Sequence, residues 1–167
     1  MAGCVVGNRA AGIDRGLPPM TSRFAFPYGI RFQEDGKIDV FPAVEISVIG
    51  RGGRGIRATF HIDSGATTSV LPLSDVDTLG VSVRRGKRVL VRGIGGDAYS
   101  GYTGIVAAEL GGIKLRLPVI FIEDVAVPRI LGREGVFPRF GIAFDESRRR
   151  TAFLDSRKER QIINALF

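Results

Sequence analysis

The sequence contains very few residues that could hold a metal or form a nucleophile–base pair. Its 167 residues include one cysteine, Cys4, one histidine, His61, and no tryptophan. A single cysteine cannot form an intramolecular disulfide, which is typical of a protein from the reducing cytoplasm. Because one chain cannot supply the several Cys and His ligands of a zinc site, no metal or other cofactor is expected. A serine or cysteine hydrolase is not indicated either, because His61 lies only two residues before Asp63 and positions neither Ser64 nor Cys4.

Long apolar runs are also missing. No stretch reaches the roughly 18 consecutive apolar residues that would predict a membrane-spanning helix, and no membrane partner is expected. The first residues, MAGCVVGNRAAG, lack the apolar core of a signal peptide. We predict a disordered N-terminal extension over 1–22, one folded domain over 23–155, and a C-terminal helix or interface segment over 156–167.

Basic residues exceed acidic ones, which permits contact with polyanions. Lys and Arg number 24 against 17 Asp and Glu, a formal charge of +7. The segment GRGGRG (50–55) has the letters of the dinucleotide-binding fingerprint, but that fingerprint requires a helix directly after it. Here the β-rich IRATFHID follows, so the segment is interpreted as a hairpin turn. One RGG copy without interleaved aromatic residues gives little support for RNA binding, and a nucleic-acid partner is not expected.

Glycine and β-branched residues are abundant. The 23 glycines are about twice the usual share, and they separate short β-rich runs such as KIDVFPAVEISVI and IKLRLPVIFIED. The segment LPLSDVDTLG predicts one short helix capped by Ser74 and ended by Gly80. The tail SRKERQIINALF has a second helical pattern, although a strand at a subunit interface is the alternative. The predicted class is all-β, with six or more strands in a closed sheet and one or two short helices.

The segment FHIDSGATTSVLP (60–72) carries the strongest chemical signal. Asp63 ends an apolar strand and is followed by Ser64 and Gly65. An acid in apolar surroundings is costly unless it has a partner or a task. The segment by itself leaves two interpretations open, an ordinary turn in which Asp63 caps its own backbone and a catalytic aspartate.

Three separated segments together resemble the retropepsin-like aspartic proteases, the single-domain homodimeric relatives of the retroviral enzymes. FHIDSGATTSVLP matches the motif that contains the catalytic aspartate. VRGIGGDAYSG resembles the glycine-rich flap, and VPRILGREGVFPRFGIAFD resembles the later apolar-apolar-Gly segment with its arginine. The resemblance runs from about Phe41 to Leu154. It implies a closed acid-protease barrel and a homodimeric endopeptidase that cleaves extended peptides.

The resemblance also implies a role for each matching residue. Asp63 would be the catalytic acid and base, Ser64 would bond across to the other subunit, and Gly65 would offer its carbonyl to substrate. The remaining substrate contacts would be Ala66, Thr67 and the flap residues Gly93, Ile94, Gly95 and Gly96. The structural support of the site would be Ile130, Leu131, Gly132 and Arg133.

Two questions stay open from the sequence. Viral members commonly have an acidic residue where this chain has Thr67, so Arg133 loses its expected partner and could pair with Glu134, Asp75 or substrate. The chain also has one Asp-Ser/Thr-Gly triplet, so a second carboxylate has to come from another copy. The alternative function is a catalytically silent retropepsin-like module for dimerisation or peptide binding.

Overall fold

The protein is built almost entirely of β-strands. The computed structural model describes residues 25–33, 35–93, 96–124 and 126–166, so the whole of the predicted extension over 1–22 and its junction lie outside the described residues. The strands in these ranges are β1 (Ala25–Pro27), β2 (Gly29–Phe32), β3 (Ile38–Phe41), β4 (Ala43–Ile49), β5 (Gly55–Ile62), β6 (Ser69–Pro72), β7 (Arg88–Arg92), β8 (Ala98–Leu110), β9 (Ile113–Ile122), β10 (Ile130–Leu131), β11 (Phe140–Asp145) and β12 (Arg150–Asp155). Two short helices, α1 (Asp75–Leu79) and α2 (Arg160–Leu166), complete them. The predicted class is confirmed.

The main sheet closes on itself. Its order is β4-β5-β10-β6-β9-β8-β7, and β8 also pairs with β4, so six of its strands form a ring. This arrangement agrees with the predicted closed sheet of six or more strands. In β4 the side chains of Val44, Ile46 and Val48 are buried, whereas Glu45 and Ile49 are exposed. The alternation shows that one face of the strand lines the core.

The core fills the ring with aliphatic and aromatic side chains. Phe60 from β5, Leu117 and Phe121 from β9 and Leu131 from β10 are at most 2% exposed. Each buried side chain of this size contributes about 1.5–3 kcal/mol through removal of apolar surface from water. The strands that flank the Asp63 segment are therefore held mainly by hydrophobic burial.

Two small sheets lie outside the ring. One has the order β1-β12-β11 and the other pairs β2 with β3. Strands β11 and β12 form a hairpin, and Arg149 in its turn has a φ of 50°. Asp155 at its end is fully buried and accepts a hydrogen bond from Arg139 Nη2 at 2.7 Å.

The β4–β5 turn and the two ends of helix α1 can be compared with the sequence predictions. A short 3-10 turn, Arg51–Gly53, joins β4 to β5, so GRGGRG leads into a strand as the hairpin interpretation requires. Helix α1 ends at Gly80, whose φ of 59° is left-handed, as predicted. The predicted cap at Ser74 is wrong, because Ser74 already has helical dihedrals and makes no side-chain capping bond. No helix among the described residues is both long and apolar enough to cross a bilayer.

Candidate active site

The Asp63 segment begins where β5 meets β10. Strand β10 runs parallel to β5, with Ile130 opposite His61 and Leu131 opposite Ile62, and antiparallel to β6, where Ile130 pairs with Val70. The backbone N–H of Asp63 donates to the Leu131 carbonyl at 3.1 Å. The short strand β10 therefore fixes the point at which the chain leaves the sheet and enters the Asp63 loop (residues 63–68).

The carboxylate of Asp63 is held by its own loop. Its Oδ1 accepts the N–H of Gly65 at 2.8 Å and the N–H of Ala66 at 3.3 Å. This is the turn-capping geometry that the motif allowed, but it occupies only one of the two oxygens. Within the described residues Oδ2 accepts no hydrogen bond, and Asp63, Ser64 and Gly65 are all exposed. A turn-capping aspartate is thus also available for chemistry.

The predicted support residues lie directly against the loop. Leu131 is fully buried, and the N–H of Gly132 donates to the buried Ser69 hydroxyl at 3.1 Å. A Cβ on Gly132 would lie 2.6 Å from the Thr68 carbonyl carbon and 2.9 Å from the Ser69 nitrogen. Two backbone segments meet here at a separation that excludes any side chain, which explains the glycine.

A second set of hydrogen bonds ties the far end of the loop to the turn after β10. The N–H groups of Arg133 and Glu134 donate to the carbonyls of Ala66 at 3.0 Å and Thr67 at 2.9 Å. Arg133 Nη2 donates to the Thr67 hydroxyl at 3.2 Å, and the Thr68 hydroxyl donates to Glu134 Oε2 at 3.1 Å. Of the alternatives for Arg133, the structure has neither Glu134 nor Asp75 as its partner among the described residues, because the Thr67 hydroxyl takes that place; substrate stays a prediction.

Asp75 has a different partner, which sequence reasoning missed. Arg129 donates to it through Nε at 2.8 Å and Nη2 at 2.6 Å, and Asp75 is only 5% exposed. The hydrogen bond to Asp75 raises the pKa of Arg129. The carbonyl of Arg129 accepts the N–H of His61 at 2.9 Å, so this ion pair anchors helix α1 to the entry of β10. Arg129, the one charged residue of the segment VAVPRILG, was the available signal.

The predicted flap is a β-hairpin whose tip is only partly described. Strands β7 and β8 pair antiparallel up to Arg92 opposite Ala98. Gly93 donates to the Asp97 carbonyl at 3.1 Å, and Gly96 donates to the Gly93 carbonyl at 3.0 Å. Gly96 has a φ of 87°, which favours glycine. Ile94 and Gly95 lie outside the described residues.

His61 is occupied by an aromatic stack. Its ring lies parallel to that of Phe41, with centroids 3.6 Å apart and planes 10° from parallel. Burial lowers the pKa of His61, the charge of Arg31 lowers it further, and Asp39 acts in the opposite direction. The ring thus joins the β2–β3 hairpin to β5, the strand that leads into Asp63.

One family of known proteins matches the part of the chain that contains this site. The aspartyl protease family model matches residues 44–134, more than half of the chain, and the match includes both the Asp63 loop and β10. A solved structure, EIAV protease complexed with the inhibitor HBY-793, is 21% identical, covers 56% of this chain and 83% of that chain, and has a TM-score of 0.43. No curated protein matches the sequence. The family match confirms the resemblance seen in the sequence, and the chain belongs to the aspartyl protease family.

Proposed function

We propose that the protein is an aspartic endopeptidase that works as a homodimer and cleaves extended peptide segments. The observation that carries the proposal is the state of Asp63. Its carboxylate is oriented by two backbone N–H groups and exposed, in a loop that is bonded to β10 or the following turn at both ends. A fixed, accessible carboxylate is what acid–base chemistry requires.

The proposed reaction needs two such carboxylates. Peptide hydrolysis without a metal or a covalent nucleophile requires a base to activate water and an acid to polarise the carbonyl. Two carboxylates close together share one proton, because two like charges at that distance cannot both form cheaply. The pair then supplies base and acid at once, and the proton belongs to the pair rather than to either residue. Since the chain has one Asp-Ser/Thr-Gly triplet, a two-fold axis supplies the second Asp63.

The other predicted residues have supporting roles in this proposal. Ser64, exposed beside Asp63, bonds across the two-fold axis and stiffens the pair. Gly65, Ala66 and Thr67 form the floor along which the peptide backbone lies. The β7–β8 hairpin covers the bound peptide, excludes water and donates backbone hydrogen bonds from the region of Gly93 to Gly96.

The test is the substitution Asp63→Asn with Asp77→Asn as its matched control. Asparagine has nearly the same shape and can still accept the bonds from Gly65 and Ala66, but it cannot act as the base. We expect the cleavage rate of an unfolded protein mixture to fall by about 10²–10⁴-fold, with the solution mass of the protein unchanged. Asp77 is an exposed residue of α1, and its variant should cleave normally.

Two outcomes would contradict the proposal. Cleavage by Asp63→Asn at the wild-type rate would exclude Asp63 as the catalytic group. A wild-type protein that binds unfolded peptides, does not bind a statine-type transition-state mimic and never cleaves would instead support the silent binding module.

A further inference from the structure

Four large apolar side chains are exposed on one face of the β2–β3 hairpin. They are Ile30, Phe32, Ile38 and Val40, which are 63%, 76%, 59% and 39% exposed. Ile30 lies opposite Val40 and Phe32 lies opposite Ile38. Directly opposed residues of an antiparallel pair share a face, as do residues two apart on one strand. The four side chains therefore form one continuous surface, here called the hairpin face.

The other side of the hairpin already has its contacts. Phe41 stacks on His61, and the ring atoms of Phe41 approach Gly29 so closely that a Cβ there would lie 2.5 Å away. Arg31 and Asp39 form an ion pair at 2.6 Å on this same side. The hairpin is thus attached through one side, which leaves the hairpin face exposed.

The described residues leave this surface uncovered. Among the described residues, β2 and β3 pair only with each other, and an isolated two-stranded hairpin is marginally stable in water. Half of the large hydrophobic side chains exposed in the described part of the chain lie on this face. Exposed apolar side chains grouped in this way mark an interaction surface rather than ordinary scattered exposure.

We infer that the hairpin face is part of the interface with a second copy of this chain. The inference rests on the proposed homodimer and names the surface that holds it together. Of the Asp63 loop only four residues are exposed, whereas a specific dimer needs about 800 Å² per partner. The hairpin joins the body at Phe41, stacked on His61 two residues from Asp63. It therefore lies next to the surface that a two-fold axis through the paired Asp63 loops must bury.

The test uses Phe32→Ser and Ile38→Ser in the full chain, with Ile105→Ser as the matched control. Ile105 is similarly exposed, at 52%, but lies on β8. We measure solution mass and cleavage rate per chain over a dilution series. Each hairpin variant should weaken dimerisation by about tenfold or more, as loss of a central apolar contact does. Cleavage should be lost on dilution and recover at high protein concentration, because the Asp63 loop is unchanged. The Ile105 variant should match the wild type.

Recovery of cleavage at high protein concentration also shows that the variants fold.

Three results would overturn the inference. The first is a dimer of wild-type strength in both variants with unchanged cleavage. The second is an unchanged mass with a raised KM, which would assign the hairpin face to substrate. The third is a wild-type monomer at every concentration in which the amides of β2 and β3 exchange slowly, because the face would then be covered by the same chain.

The proposed function fails on a separate observation. It is wrong if Asp63→Asn cleaves at the wild-type rate, whatever the hairpin variants do. If Asp63→Asn is inactive and the hairpin variants stay dimeric, the function stands and the hairpin face is not the interface.

Discussion

The Asp63 loop and the β2–β3 hairpin both adjoin strand β5, yet they are held in opposite ways. The loop is tied by backbone hydrogen bonds to Leu131, Arg133 and Glu134 and lies against the close backbone contact at Gly132. The hairpin is attached through one aromatic stack and carries an ion pair whose arginine side chain is half exposed. The contacts of the loop therefore orient one carboxylate, whereas the hairpin leaves four large apolar side chains exposed.

The largest expected effect lies beneath the loop. Leu131→Ala removes a fully buried side chain and leaves a cavity, so it should lower the free energy of unfolding by about 2–5 kcal/mol. Leu90→Ala, at a position that is 63% exposed, should stay within about 0.5 kcal/mol. Urea unfolding at one fixed protein concentration measures both, because dimerisation makes stability depend on concentration. If both variants lowered the free energy of unfolding equally, the buried side chain beneath the loop would stabilise the fold no more than an exposed one.

A smaller effect is expected where the hairpin meets β5. Phe41→Ala removes a half-buried ring and its stack on His61, which should cost about 1–2 kcal/mol. Phe41→Tyr keeps the ring and serves as the control in the same unfolding experiment. A loss as large as that of Leu131→Ala would show that the hairpin is an integral part of the core.

The smallest effect is a pH dependence from His61. Its pKa in the folded protein is lowered from the ordinary value of 6.5, mainly by burial. The unfolded state therefore binds more protons between the two pKa values, so stability falls as the pH drops below about 6.5 and is constant above it. His61→Gln should lack this dependence, so the unfolding free energy of the wild type minus that of the variant should rise with pH up to about 6.5 and stay constant above it. A difference that falls as the pH rises would give the shift the opposite sign.

Local sequence patterns predicted the parts of the structure that depend on local geometry. Gly80 ends helix α1 with a left-handed φ, and Gly96 has a positive φ between β7 and β8, because both positions need dihedrals that other residues rarely adopt. Ser74 was predicted wrongly for a related reason. A serine before a helix has more than one local option, and here its backbone already follows the helix.

Contacts between distant segments could not be predicted in the same way. Arg133 pairs with Thr67 and Arg129 pairs with Asp75, residues 66 and 54 positions apart in the chain. The sequence offers several acids and hydroxyl groups to each arginine. The choice among them depends on how β10 registers between β5 and β6, which is set by packing across the whole ring.

The sequence by itself identified the residues that could carry chemistry, since Asp63 in its Asp-Ser-Gly-Ala segment and the glycine-rich stretch between two β-rich runs can be recognised without the structure. The tertiary structure decided how that carboxylate is held and which apolar side chains stay exposed. Side-chain chemistry and turn dihedrals are local properties, whereas burial and partner choice exist only once remote strands have paired.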